Sequence, residues 1–585
     1  MEATKNPAET TCDPIVNCHT HIFKGDQVPP FLSKSFVLFP FYRLIYLPLI
    51  LSGFKRWFRV TGNIRNSGRL KKYHMITSRL RRPAGIKFAL YLLGLWATVQ
   101  SFFILYDFIS NFLPPGAMIA DLVDKALAIL TGFHLILPLP YPVEKVMLVV
   151  VVLLFVKWGR NLLFSLFKNI LAVFSVLPGS RTTELFKRYV LLGRFSIYER
   201  QDKTWSLLTS QYPAGTKFVV LPMDMTFMGA GALKGDGTYQ KQMEQLAEIK
   251  DKNSGKQTFY PFVFVDPRRI ALEKTAFFNY RSDGKGGVIL DPCFIKKYIE
   301  DLGFSGFKIY PALGYYPFDP LLLPLWKYAA DRQIPITTHC IQGTIFYRGS
   351  KKPEWNSHPV FEQSMGHQTF APLQLLQEKN VDFQTNFTHP MNYLCLLEES
   401  LLRKVVGQSG DQKLKDLFGY QGDDQPMTYN LKHLKICLAH YGGWEEWDKY
   451  LESDRDHYSS QLVKNPDRGI EFFKTATSDA VSESKLEQIW KYVDWYSIIS
   501  SIMLQYDNVY ADISYIVYDE KIFPLLKHSL QPQFEKLRKK ILFGTDFYVV
   551  RNHKSEKEIL TDLMAGLTED EFNLIARENP KSFLN

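Results

Sequence analysis

Beyond residue 180 the chain alternates between two kinds of hydrophobic pattern. Short runs rich in β-branched and aromatic residues, at 217–223, 258–265, 306–310, 334–339, 434–440, 508–514 and 540–546, are separated by longer stretches with helical periodicity. The short runs predict strands; the stretches at 239–252, 292–302, 320–332, 484–504, 519–528 and 556–577 predict helices. A run at 15–18 brings the strand count to eight. Strand and helix in alternation imply a parallel sheet, and eight such units imply an α/β fold of the (β/α)8 TIM-barrel type.

The region 36–178 breaks this pattern. It opens with an apolar, aromatic stretch at 36–54 interrupted by Pro40, Arg43 and Pro48, followed by a basic block at 55–87 without a single acid. A second apolar run, 88–113, carries Asp107 as its only charge and is long enough to cross a bilayer as a helix. Residues 117–142 are apolar but hold Asp121, Asp124 and Lys125, and a third apolar run, 146–156, leads into further basic residues. The expected division is 1–35, carrying the first barrel strand; 36–178, a large hydrophobic and basic helical insertion after that strand; and 179–585, the remainder of the barrel. The insertion is expected to be membrane-associated, as a hairpin crossing along 88–113 and 143–160. Its basic flanks then place the catalytic domain at the cytoplasmic face. A buried helical subdomain is the alternative.

Composition sharpens this reading. The formal net charge of +11 is matched by the eleven Lys and Arg of the basic block. Set between apolar runs, that block suits anionic headgroups rather than nucleic acid, which is not expected as a partner. Six scattered cysteines with no Cys-x-x-Cys pair argue against a disulfide framework or a structural zinc knuckle. Residues 1–14 lack the apolar core of a secretory signal.

The chemistry lies where the strand runs end, because barrel active sites form at the C-terminal ends of the strands. His19 and His21, one residue apart on the first strand, project to the same side and form half of a metal site. His339 closes the fifth run, His440 the sixth and Asp546 the eighth. Five such residues converge on one mouth. Asp224, after the second strand, is a further candidate to line it, and the long loop 341–433 carries His358, His367 and His389, the last in Asn386-Phe387-Thr388-His389-Pro390.

These residues carry a resemblance. HTH at 19–21, the stretch 306–340 that opens GFKIY and closes ITTHC, LAHYGG at 438–443, YADIS at 510–514 and FGTDF at 543–547 resemble the amidohydrolase superfamily. The likeness is to the amidohydrolase-related branch, which includes aminocarboxymuconate-semialdehyde decarboxylase and the resorcylate-type decarboxylases. It implies that His19, His21 and His339 bind a metal and that Asp546 both binds it and handles the proton of the attacking water. His440 then polarises water or substrate, or holds a second metal. Lys308 matches the fourth-strand lysine neighbourhood, either carboxylated between two metals or acting as a cation toward a substrate carboxylate or phosphate.

A divalent ion, Zn2+ by preference for His-rich ligation, lowers the pKa of bound water from about 16 to about 7. Asp546 is the expected general base and acid, with His440 and Lys308 stabilising charge on the substrate. The expected function is hydrolysis of an amide, ester or lactone-type bond in a small-molecule or lipid-like substrate. A metal-dependent non-oxidative decarboxylase and a non-catalytic membrane-anchored binding protein are the alternatives.

Overall fold

The computed structural model describes residues 13–31, 84–110, 118–155, 198, 200–233, 235–343, 345–366, 369–377, 380–452, 458, 460–473 and 483–585. The chain divides into two compact units, Met1–Lys55 with Lys187–Asn585, and Arg56–Phe186.

In the first unit the eight expected runs are all strands: β1 (Val16–Thr20), β2 (Lys217–Val220), β3 (Phe259–Phe264), β4 (Gly306–Ile309), β5 (Ile336–Ile341), β6 (Ile436–Gly442), β7 (Val509–Asp512) and β8 (Ile541–Leu542). They neighbour one another in that order and every pair is parallel. A bridge between Thr20 and Phe547, and a 2.9 Å hydrogen bond from Cys18 N to Phe543 O, bring β1 against the β8 end. The sheet thereby closes into the expected TIM barrel.

Alternation along the strands separates two cores. Val16, Cys18, Val219, Phe262, Cys437, Tyr510 and Leu542 cluster inside the barrel, and Phe583 of the C-terminal helix closes it from below against Tyr510. The opposite faces pack on the surrounding helices in one continuous core. Two of the expected long helices are each interrupted by a capping residue. The stretch 484–504 forms Glu483–Tyr492 and Trp495–Gln505, because Asp494 accepts from Ser497 N at 2.7 Å and starts the second helix. Thr568 and Glu571 form a capping box that separates Glu556–Gly566 from Glu569–Asn573. The loop after β5 has structure of its own, including an antiparallel hairpin of Ser357–Gly366 with Thr369–Gln374.

Two departures from regular pairing matter most. Between Asn17 and Thr20, β1 has one residue more than β2, and between Ala439 and Gly442, β6 has one more than β5. Each is a β-bulge, which breaks the strict alternation of faces. Asn17 points outward to Tyr212 and Cys18 points inward, yet the bulge turns the next residue, His19, to the interior as well.

The second unit contains α1 (Ala84–Ser110), α2 (Met118–Gly132) and α3 (Pro142–Phe155). Trp96 Nε1 donates to Leu135 O at 2.7 Å, and the Gln100 amide bonds the Leu137 main chain in both directions, at 2.6 and 3.1 Å. These contacts tie α1 to the segment joining α2 and α3. The expected membrane hairpin is overturned here: among the described residues no helix is long and apolar enough to cross a membrane. The apolar run of α1 is broken by Thr98, Gln100, Ser101 and Asp107. Helix α3 has 14 residues, a rise of about 21 Å against the roughly 30 Å of a hydrocarbon core. The transmembrane assignment, and with it the membrane-bound placement at the cytoplasmic face, therefore fails. The expected interfacial segment 36–54 and the basic block up to residue 83 lie outside the described residues.

Candidate metal centre

Three buried ligand atoms meet at the C-terminal ends of β1 and β8. His19 Nε2 and His21 Nε2 are 3.3 Å apart, and Asp546 Oδ1 lies 3.2 Å from the second and 3.7 Å from the first. His21 Nδ1 sits 2.7 Å from Leu221 O, which only accepts, so in the neutral imidazole the proton is on Nδ1 and Nε2 is bare. His19 Nδ1 lies 2.9 Å from Asp512 Oδ2 and likewise donates, leaving its Nε2 bare. Burial holds the His19 pKa down at about 3, against the opposing pull of Asp512, so this ring is neutral. Two lone pairs thus face each other at 3.3 Å beside a carboxylate, which is repulsive without a cation between them. A divalent ion with bonds of about 2.0–2.2 Å in tetrahedral geometry separates neighbouring donors by about 3.3 Å, so these residues fit a metal ion.

Asp512 was not among the residues expected at the site, although YADIS contains it. Its Oδ2 accepts from His19 Nδ1 and, at 3.5 Å, from Cys437 Sγ; its Oδ1 accepts from His440 N at 3.1 Å, from Ser514 N at 3.0 Å and from Ser514 Oγ. Burial opposes its ionisation, but His19 beside it holds the carboxyl well below the usual range. A carboxylate behind a ligating imidazole fixes tautomer and orientation. Residue type could have flagged it, since Asp512 is an acid near the end of the strand run 508–514. Asn17 and Thr545 were also missed, because they face away from the barrel interior.

His440 belongs to the same cluster through its bulge. It has φ of 66° and Tyr441 has φ of 44°, left-handed values that L-residues rarely adopt. Its ring lies 4.8 Å from His19 and 4.9 Å from His339, centroid to centroid. His440 Nδ1 is 3.1 Å from Ser514 O, so it carries the proton, and His339 Nδ1 then donates to His440 Nε2 at 3.1 Å. His339 also stacks on Tyr310 at 3.9 Å. Among the described residues two groups of three meet with ligand atoms within 4.8 Å of one another, His19–His21–Asp546 and His19–His440–Asp512; His339 is in neither. Burial lowers the His440 pKa. For Asp546, burial favours the acid, but His21, His440 and His19 keep its carboxyl below the ordinary range. Asp546 too has a left-handed φ, 61°.

Lys308, on β4, is completely buried in the barrel, and its Nζ has no hydrogen-bond partner among the described residues. Burial lowers its pKa to about 8, with Asp512 and Asp546 pulling the other way. Asp224 does not line the mouth as a free carboxylate. Its Oδ2 accepts from Arg269 Nε at 2.5 Å and its Oδ1 from Thr226 N at 3.0 Å. The loop histidines are buried packing groups. His358 bonds Asn392 Oδ1 at 2.9 Å and accepts from Val360 N and Phe361 N, while His389 bonds Trp490 O at 3.2 Å, accepts from Met391 N and stacks on Trp490. His367 lies outside the described residues.

Neither a protein-family model nor a curated protein matches the sequence. Solved structures that resemble the chain include these two. An uncharacterised TIM-barrel protein of Bordetella bronchiseptica is 12% identical, with a TM-score of 0.32, over 66% of this chain and 83% of that one. A 4-oxalomesaconate hydratase of Rhodopseudomonas palustris is 11% identical, also at a TM-score of 0.32, over 66% and 80%. At these values neither bears on the chemistry, which is argued from the site itself.

Proposed function

We propose that this chain is a metal-dependent hydrolase of the amidohydrolase type, acting on an amide, ester or lactone-type bond of a small molecule. The observation that carries this reading is the pair of bare Nε2 atoms of His19 and His21, 3.3 Å apart, with Asp546 Oδ1 beside them. His19, His21 and Asp546 would hold the ion, and imidazole-rich ligation favours Zn2+. When bound there, such an ion supplies Lewis acidity and lowers the pKa of water toward about 7.

The protein's own residues do the rest. Asp546, ionised and buried, accepts the proton of the attacking water and returns it to the leaving group. His440, whose Nδ1 proton is held by Ser514 O and whose Nε2 accepts the Nδ1 proton of His339, fixes the orientation of the His339 ring at the site. Burial of the cluster keeps these interactions strong by excluding bulk water.

The test is elemental analysis of the purified full chain after growth with zinc, alongside His19→Ala and Asp546→Ala. About one equivalent of metal in the wild type and a large loss in both variants is expected. Metal-loaded protein is then assayed on a panel of esters, lactones and amides, with carbon dioxide release from aromatic acids followed in parallel. A metal-free wild type overturns the reading; carbon dioxide release without hydrolysis replaces hydrolase by decarboxylase.

A further inference from the structure

The left-handed backbone of His440 and Asp546 recurs at another residue beside the metal centre. Tyr515, just beyond β7, has φ of 63° and ψ of −56°, and Ile516 N donates to Ser514 O across it at 2.8 Å. This is the γ-turn of positive φ, rare and strained for a residue with a side chain, whereas glycine reaches such values at no steric cost. The site holds the turn from both sides. Ser514 O also lies 3.1 Å from His440 Nδ1, and Tyr515 N donates at 3.3 Å to the carbonyl of Thr545, next to Asp546. Strain of this kind persists where the surrounding structure over-determines it, and it gathers at functional positions. A tyrosine where the backbone favours glycine points to a use for its ring.

Core packing claims only part of that ring, because Tyr515 is half-buried. Its centroid is 6.4 Å from that of His440 at an interplanar angle of 82°, and its hydroxyl lies 3.3 Å from Nε2 of the exposed His553, which stacks on Tyr518 at 3.8 Å. The phenol therefore reaches from His440 to the rim, with its outer end held by His553. Two further rings stand beside imidazoles of the site, Phe23 at 5.6 Å from His21 and Tyr310 at 3.9 Å from His339, and both are buried. Of the three, Tyr515 has surface left for a ligand. From this we infer that Tyr515 contacts the substrate: its ring forms one wall of the site and receives an aryl group carried next to the reacting bond. With the hydroxyl held at His553, the ring rather than the oxygen meets the ligand, and aromatic rings pair favourably at centroid separations of about 4.5–7 Å. The inference rests on the metal-hydrolase reading and narrows its substrate class to acyl compounds bearing an aromatic ring.

The experiment uses the full-length, zinc-loaded protein, with metal content measured on every sample. Calorimetric titration compares acetohydroxamate and benzohydroxamate, which share a zinc-binding group and differ in carrying a methyl or a phenyl. The proteins are the wild type, Tyr515→Phe, Tyr515→Ala and Tyr515→Gly. Tyr515→Ala and Tyr515→Gly are each expected to lose about tenfold in benzohydroxamate affinity, with acetohydroxamate affinity and metal content unchanged, while Tyr515→Phe keeps the wild-type preference. Without ligand, Tyr515→Gly is expected to melt about 1 °C or more above Tyr515→Ala, because only glycine relieves the turn. An unchanged benzohydroxamate affinity in both truncated variants, equal losses for the two hydroxamates, or no binding of either by metal-loaded wild type overturns the aryl wall while leaving the metal reading standing. Tyr515→Gly melting no higher than Tyr515→Ala removes the strain on which the inference is built. A metal-free wild type removes both readings.

Discussion

Asn17 and Thr545 exchange two hydrogen bonds across the seam between the first and last strands: Asn17 Nδ2 donates to Thr545 Oγ1 at 2.8 Å, and Thr545 N donates to Asn17 Oδ1 at 3.2 Å. The same Asn17 oxygen accepts from His19 N at 3.2 Å, and its amide also donates to Tyr212 OH at 3.0 Å. One buried side chain therefore sets the main chain at His19, a candidate ligand, and at Thr545, next to the candidate ligand Asp546. Asn17→Ala leaves two buried N–H groups without these acceptors. It is expected to cost on the order of 2–4 kcal/mol and to weaken metal binding, as read by urea unfolding and by metal titration. Unchanged metal affinity in a folded variant would show that the seam does not position the ligands.

Gly544 is needed for a close approach. A Cβ there would sit 2.9 Å from His19 Cβ and 3.1 Å from Ser514 Cβ, atoms that cannot swing aside. Gly544→Ala should destabilise by about 1–3 kcal/mol and displace His19. Gly255→Ala, where nothing lies within 4 Å, is the matched control and should stay near wild type in thermal melting.

Asp512→Asn keeps the shape of the group behind His19 and removes its charge. Metal affinity should fall about 10–100-fold with secondary structure intact, measured by competition with a chelator. An affinity equal to wild type would mean that Asp512 does not orient His19.

Glu556 supplies a pH dependence away from the ligands. Its Oε2 accepts from Tyr212 OH at 2.5 Å and from Thr545 Oγ1 at 2.9 Å, and burial, only partly offset by those bonds, raises its pKa from 4.5 to about 7. The folded state thus retains a proton that the unfolded chain releases above about pH 4.5. Unfolding releases that proton between about pH 4.5 and 7, so this group's stabilisation is full below that window and is lost as pH rises through it. The total is on the order of 3 kcal/mol. Glu556→Gln cannot ionise, so its stability relative to wild type should increase from about pH 5 to about pH 8 in denaturant titrations. Parallel pH profiles for the two proteins would rule this out.

The eight strands and most of the intervening helices were legible because hydrophobic periodicity is local: a run such as 434–440 announces its strand without reference to any other part of the chain. The candidate chemistry at the strand ends was legible for the same reason, with the fold supplying the convergence of His19, His21 and Asp546. Helix breaks were less so. Asp494 and Thr568 read as ordinary polar residues until their side chains are seen capping the following helices. The insertion misled because apolar content along the sequence does not fix helix length: α2 has 15 residues and α3 has 14, both short of a hydrocarbon core, and among the described residues no helix is long and apolar enough to cross a membrane.

By itself, the sequence determined that this protein is an eight-unit α/β barrel with histidines and an aspartate at the ends of its strands, since period and residue type are properties of the chain alone. Only the tertiary structure decided how those residues meet. A single extra residue in β1 and another in β6 turn His19 and His440 inward, against the alternation that would have pointed them out. Whether a strand bulges depends on its partner's register. For that reason the roles of Asp512 and Asn17 could be read only once the barrel had closed.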